Sequence, residues 1–101
     1  MEIDLEKLEV VQNEAENRFE LRIGEYLSKL DYMEDESTFV ITHVGVHPEL
    51  RGHGVAGRLT QVGLDYAKDR SLRVIPMCSY AAAYIRRHPQ YLDLTKHKAN
   101  E

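Results

Sequence analysis

The chain has 101 residues, 43% of them hydrophobic and 30% charged, and a formal net charge of −4. That length suits one domain spanning residues 1–101, with a core over about 8–94 and a frayed tail over 95–101. The acidic balance excludes a general nucleic-acid binder, whose footprint is basic, and no apolar run approaches the ~20 residues that cross a bilayer, so no membrane partner is expected. The acidic opening "MEIDLEKLEV" carries no apolar leader segment. Cys78 is the single cysteine; it can form no internal disulfide, which suits a reducing cytoplasm.

In chain order, "IDLEKLEVVQ" fits either a charged helix or a run into an edge strand at Leu8 to Gln12. The strand is preferred, with turn chemistry following in "NEAEN". In "RFELRI", Phe19, Leu21 and Ile23 alternate with Glu20 and Arg22, the period of a half-buried strand. Gly24 turns the chain into "EYLSKLDYM", a second hairpin strand that ends at the acidic turn "EDES". "TFVITHVGV" is nearly all apolar and β-branched, as in a strand buried on both faces. From Val55 to Arg70 the apolar positions Val55, Leu59, Val62, Tyr66 and Ala67 recur at helical spacing. "LRVIPM" reads as a short buried strand. "SYAAAYIRRH" reads as a helix with Ser79 as candidate N-cap and Pro89 as its stop, and "YLDL" as a last strand. The predicted fold is α+β: an antiparallel meander leading into a strand–helix–strand–helix unit. Its right-handed crossover makes the Thr38–Val46 and Leu72–Met77 strands parallel neighbours.

Between the meander and the first helix lies "HVGVHPELRGHGVAG", which carries four glycines. Gly52, Gly54 and Gly57 spell a G-x-G-x-x-G. A dinucleotide fold would also need an acidic residue ~20 positions on, and "LRVIPMCS" has none; nor does Gly-Lys-Ser/Thr follow, as a P-loop requires. Two readings of the loop remain. Glycines at a helix entry expose backbone N–H groups, and the helix dipole favours an anion there, with Arg51, His53 and Arg58 adding positive charge. Alternatively, the glycines serve only a tight junction. Gly45, inside the best strand, marks a bulge or a close backbone approach, and Pro76 has no N–H for a ladder. The two parallel strands should therefore part near these residues, leaving unpaired groups for a thin, amide-bearing ligand. A metal site is not expected: His43 and His47 are about 13 Å apart at ~3.3 Å per extended residue.

Arg51-Gly52-His53-Gly54-Val55-Ala56 resembles the acetyl-CoA-binding signature of the GNAT acetyltransferases, Gln/Arg-x-x-Gly-x-Gly/Ala, through Arg51, Gly54 and Ala56. The resemblance runs from about Asn17 to Leu94 and is narrowest to the minimal, stand-alone GNAT-like group of about this length. It rests on "FEL", "HVGVHPELRGHGVAGRL" and "IPMCSYAAAYIRRHPQYLDL" in that order. It implies transfer of an acetyl group from acetyl-CoA to an amine on a protein, peptide or small molecule. It further implies that the amides of Gly52, His53, Gly54, Val55 and Ala56, with Gly57, Arg58 and Arg51 beside them, hold the pyrophosphate. The pantetheine arm would lie in the V-shaped gap between the two parallel strands, against Val44 and Val46. Members of the group tend to have His-Thr-x-Val where this chain has His43-Val44-Gly45-Val46. The helices that larger GNAT enzymes place after the first strand are also missing, and with them much of the acceptor-binding wall.

Three residues are candidates for the chemistry. Cys78 precedes a helix, and a helix N-terminus raises the thiolate fraction; it reads as a nucleophile or as a small packed hydrophobe. His43 shares a strand face with Phe39 and Ile41 if no bulge intervenes, and reads as a base or as a hydrogen-bonded core histidine. Tyr84 corresponds in the resemblance to a tyrosine that protonates the departing thiolate, and otherwise packs on the sheet. Besides the N-acetyltransferase, two readings stay open: a non-catalytic acyl-CoA-binding module, and a thiol-dependent acyltransferase with a non-amine acceptor.

Overall fold

Two-residue alternation builds the first half of the molecule. A computed structural model describes residues 8–96; the expectations for the segment before Leu8 and for the tail after Lys96 lie outside it. Strands β1 (Val10–Asn13), β2 (Arg18–Ile23), β3 (Tyr26–Glu34) and β4 (Thr38–Gly45) form an antiparallel meander, and β5 (Arg73–Pro76) adds to β4 in parallel, in the sheet order β1-β2-β3-β4-β5. Helix α1 (Val55–Asp69) joins β4 to β5, and α2 (Ser79–Arg87) follows β5. The expected α+β architecture is present, with its parallel pair.

The register explains the core. Phe19 pairs with Leu30 and Leu21 with buried Ser28. Phe39 and Ile41 of β4 lie fully buried on the same face. Tyr32 stacks on Phe39 at 4.8 Å between centroids, and Tyr66 of α1 meets Phe39 at 5.6 Å. The amphipathic stripe of α1 buries Val55, Leu59, Leu64 and Ala67 against this face. Gly63 of α1 lies so close to the sheet that an added Cβ would come within 3.2 Å of Leu30 Cδ1. Removing Phe39 should cost about 3–5 kcal/mol, the usual range for a large aromatic in a packed interior.

Four expectations need correction. β4 is buried on one face only, since Val40 is half-buried and Thr42 and His43 are exposed; nothing among the described residues covers that side. "YLDL" is not a strand. It falls in a 3-10 segment, Pro89–Thr95, where Pro89 presets a helical φ and the buried Tyr91 hydroxyl donates to Asp65 Oδ1 at 2.9 Å. The N-cap of α2 is Cys78, not Ser79, and no side chain caps that end. Finally, Gly45 does not mark the bulge. The register passes from Tyr32–Ile41 to Asp31–His43, so Thr42 is the extra residue.

The last pair between β4 and β5 is Ile41 with Pro76. The Ile41 carbonyl then accepts from both Met77 N (3.0 Å) and Cys78 N (3.1 Å), and the chain turns away into α2. From Thr42 to Gly45, β4 is paired with β3 and has lost its partner on the other side. The two strands part as Pro76 predicts, but the opening starts at Thr42, three residues before Gly45.

Candidate functional site

The open edge of β4 leads into a loop that is anchored at one point and bare at the next. His47 caps a short 3-10 turn, Pro48–Leu50, by accepting from Glu49 N at its Nδ1 (3.1 Å). Its own amide donates to the buried Ser28 hydroxyl (3.1 Å), and its ring lies 4.4 Å from that of Tyr26. Leu50 is fully buried and holds the turn down. The chain then crosses Gly52 at φ 82° and Gly54 at φ 79°, a region that L side chains rarely adopt. Gly54 is the N-cap of α1 and offers no side chain to it.

The first bond of α1 described beyond the cap is Arg58 N to Gly54 O at 3.0 Å. The amides of Val55, Ala56 and Gly57 precede it and have no intrahelical partner. No acidic residue occupies the first turn, and Arg51 beside it is exposed. Free amides, a positive helix end and a guanidinium suit an anion such as a phosphate, and bare glycines let it approach.

Around this loop a large cleft, about 620 Å³, joins the α1 side of the sheet to its open face. Val44, Val46, Arg51, Ala56 and Tyr80 line it from one side, and Arg18, Lys29, His43 and Gly45 from the other. The lining holds cations and imidazoles but no carboxylate. Arg18 is paired with Glu20, and Lys29 with Asp31 at 3.4 Å. The Arg18 hydrogen bond holds the Glu20 carboxyl below its usual range.

The bulge at Thr42 decides where His43 goes. It turns His43 off the Phe39–Ile41 face and leaves it exposed on the open side, opposite Asp31. The condition set for His43 therefore fails, and its reading as a core histidine fails with it. A Cβ on Gly45 would lie 2.9 Å from His43 Nε2, so the glycine admits the imidazole across the strand. Of the two readings of Gly45, close approach holds, and the approaching group is this chain's own histidine.

Cys78 is half-buried and has a free thiol. Its amide bond to the Ile41 carbonyl fixes it at the point where the strands part, outside the lining of the large cleft. Tyr84 is buried against His88, with centroids 3.9 Å apart and rings 18° from parallel. Burial raises the pKa of its hydroxyl, and the nearby Tyr80 and Asp65 add to the rise. Tyr84 lines a separate cleft with Gly54, Gly57, Arg58 and Gln61, whereas Tyr80, one turn earlier, lines both the large cleft and the loop cavity. Sequence reasoning passed over Tyr80. Its i,i+4 spacing from Tyr84 was the available signal, since it puts both rings on one helix face, where they lie 6.4 Å apart.

Among the described residues no group of three His, Cys, Asp or Glu side chains is disposed to hold a metal ion. No helix among them is long and apolar enough to cross a membrane. A search of curated proteins found no match. A sequence model of the GCN5-related N-acetyl-transferase family matches residues 18–94, a span that runs from β2 through the glycine loop and α2 into the final 3-10 segment. With most of its length matched, and with parted strands beside an uncapped helix, the chain belongs to the GCN5-related N-acetyltransferase family.

Proposed function

We propose that this protein is an enzyme that transfers the acetyl group of acetyl-CoA to an amine. One observation carries the reading: the β4–β5 ladder stops at Ile41–Pro76 beside a helix whose N-cap is a bare glycine at φ 79°. An extended, amide-bearing arm that ends in a pyrophosphate needs both features at once. The arm would pair with the open edge of β4 from Thr42 to Val46, and the phosphates would take the amides of Gly52 to Ala56 with Arg51 at their side.

Acetyl-CoA supplies an activated acyl carbon; the chain's own groups manage protons around it. As the amine nitrogen bonds to that carbon it must shed a proton, and the departing thiolate must gain one. His43, exposed on the open face of the cleft, is the candidate acceptor of the amine proton. Tyr84 keeps its proton well above neutral pH, which suits a donor rather than a base. Tyr80 lines the large cleft itself and is the second tyrosine to test.

Cys78 sits where β4 and β5 part, its amide on the Ile41 carbonyl. As a nucleophile its sulfur would bond to the acyl carbon while the donor's carbon–sulfur bond breaks. Coenzyme A would leave with the proton that Cys78 gave up, and the amine would then take the acyl group and return the thiol. Incubation with acetyl-CoA, followed by intact mass and free-thiol release with and without candidate amines, tests the reading. An acetyl adduct lost in the Cys78→Ser variant supports the covalent route; amine-dependent release with no adduct supports direct attack. Absence of any coenzyme A binding by calorimetry would overturn the proposal.

A further inference from the structure

A second cleft, of about 490 Å³, opens between the first turns of α1 and the C-terminal end of α2. It shares Gly54 and Gly57 with the cavity at the glycine loop. At Gly57 an added Cβ would already touch the Tyr80 hydroxyl and the Tyr84 ring, both at 3.6 Å, so the two tyrosines lie against the backbone there. Gly54 lines both spaces as well, so a ligand seated on the loop amides has the second cleft beside it.

Nitrogen groups on both sides of the second cleft can serve an anion. Arg58 donates from Nη1 to Gln61 Oε1 at 3.1 Å. Its Nε is buried and meets no acceptor among the described residues, and none of the described ion pairs includes it. Burying an N–H of a cation without a partner is unfavourable. Across the cleft His88 is held by Nδ1 against the Tyr84 carbonyl at 2.8 Å and by stacking on the Tyr84 ring. A carbonyl only accepts, so Nδ1 carries the hydrogen; Nε2 faces no partner among the described residues and donates to an anion when the ring is the imidazolium. Gln90 adds a carboxamide, and no carboxylate lines the space.

We propose that this cleft binds the phosphate monoester at the nucleoside end of coenzyme A, the 3′-phosphate, through Arg58 and His88, while the pyrophosphate stays on the loop amides. The assignment rests on the coenzyme A reading above and sharpens it, because it separates Arg58 from the pyrophosphate. A guanidinium opposite an imidazolium suits a phosphate monoester, which offers three oxygens and close to two charges at neutral pH and draws the proton onto Nε2.

The test is calorimetry with coenzyme A and with dephospho-coenzyme A, which lacks only that phosphate, on wild type, Arg58→Gln and His88→Asn, each first shown to melt cooperatively. Wild type should prefer coenzyme A by about tenfold or more, the worth of a hydrogen bond to a charged group. Arg58→Gln should erase the preference by weakening coenzyme A while leaving dephospho-coenzyme A as in wild type. His88→Asn should shrink the preference in the same sense, and it carries the comparison if Arg58→Gln does not fold. Equal affinity of wild type for both ligands would overturn the assignment and leave the loop reading standing. So would an equal loss for both ligands in Arg58→Gln, which returns Arg58 to the pyrophosphate. Failure of wild type to bind either ligand would overturn the coenzyme A reading, and this assignment with it.

Discussion

The two ends of β4 solve the same problem in opposite ways. At its N-terminal end the turn from β3 is closed by the chain itself: Asp35 Oδ1 accepts from Ser37 N at 2.8 Å and from Thr38 N at 2.7 Å, and Asp35 N donates to the Thr38 carbonyl at 3.1 Å. At its C-terminal end the strand loses its β5 partner after Ile41, and the next helix starts from a glycine with no capping side chain. One connection spends its polar groups on itself, while the other leaves a strand edge and a helix N-terminus unspent. Backbone groups left open on both elements of one junction are what a ligand made of amides and phosphates can use.

The largest expected effect is at the point where the two strands part. Cys78→Ser and Cys78→Ala should each lower acetyl transfer by about 10²–10⁴-fold, the range for a group that moves a proton or bonds in the transition state. Both should leave coenzyme A affinity and the thermal melt as in wild type. Wild-type turnover by both variants would make Cys78 a packing residue.

Next comes a swap that makes the open end resemble the closed one. Gly54→Asp places a carboxylate where the helix has no cap, and Asp tolerates a left-handed backbone better than most residues. The left-handed backbone should cost about 1 kcal/mol, read as a modestly lower melt. Coenzyme A affinity should fall by about a hundredfold or more, since the carboxylate takes the amides and repels the phosphates. Unchanged affinity by calorimetry would remove the end of α1 from the site.

A smaller effect is expected at Gly45. A methyl there would press on His43 Nε2 at 2.9 Å, and a mobile imidazole can yield. Gly45→Ala should therefore fold normally and bind coenzyme A, but turn over about tenfold more slowly if His43 must be positioned for the amine. Steady-state kinetics that show no change in kcat would free His43 from that role.

The smallest effect belongs to the closed end, and it shows in stability alone. The backbone bond from Ser37, with those from Thr38, holds the Asp35 carboxyl below its ordinary value of 3.8. A folded-state pKa below the unfolded one stabilises the protein at pH values above the unfolded value, and that gain is lost as pH falls through the folded value. Asp35→Ala should thus lower the melting temperature at neutral pH, and the two proteins should converge in acid below about pH 4. A difference that persists into strong acid would show that the carboxylate is not its source. Coenzyme A binding should not change.

Local pattern carried much of this molecule. Alternation in "RFELRI" sets which residues of β2 face the core, Pro76 ends the parallel ladder because it has no N–H to give, and the glycines of the loop announce a helix entry that bare backbone can serve. These outcomes depend on residues close together in the chain. The remainder depended on what packs against what. Thr42 fits a strand in or out of register, so only pairing with β3 reveals it as the extra residue that turns His43 to the open face. "TFVITHVGV" is apolar enough for two buried faces, yet the described residues supply a layer on one side alone. "YLDL" alternates like a strand, but Tyr91 packs in the core and reaches Asp65, and the segment coils to follow it. Tyr80 and Tyr84 look equivalent on their helix until α1 divides the space in front of them into two clefts. Short-range chemistry named the elements and the loop; the register of distant strands and the placing of α1 against α2 decided which side chains share a site, because those contacts join residues that the sequence holds far apart.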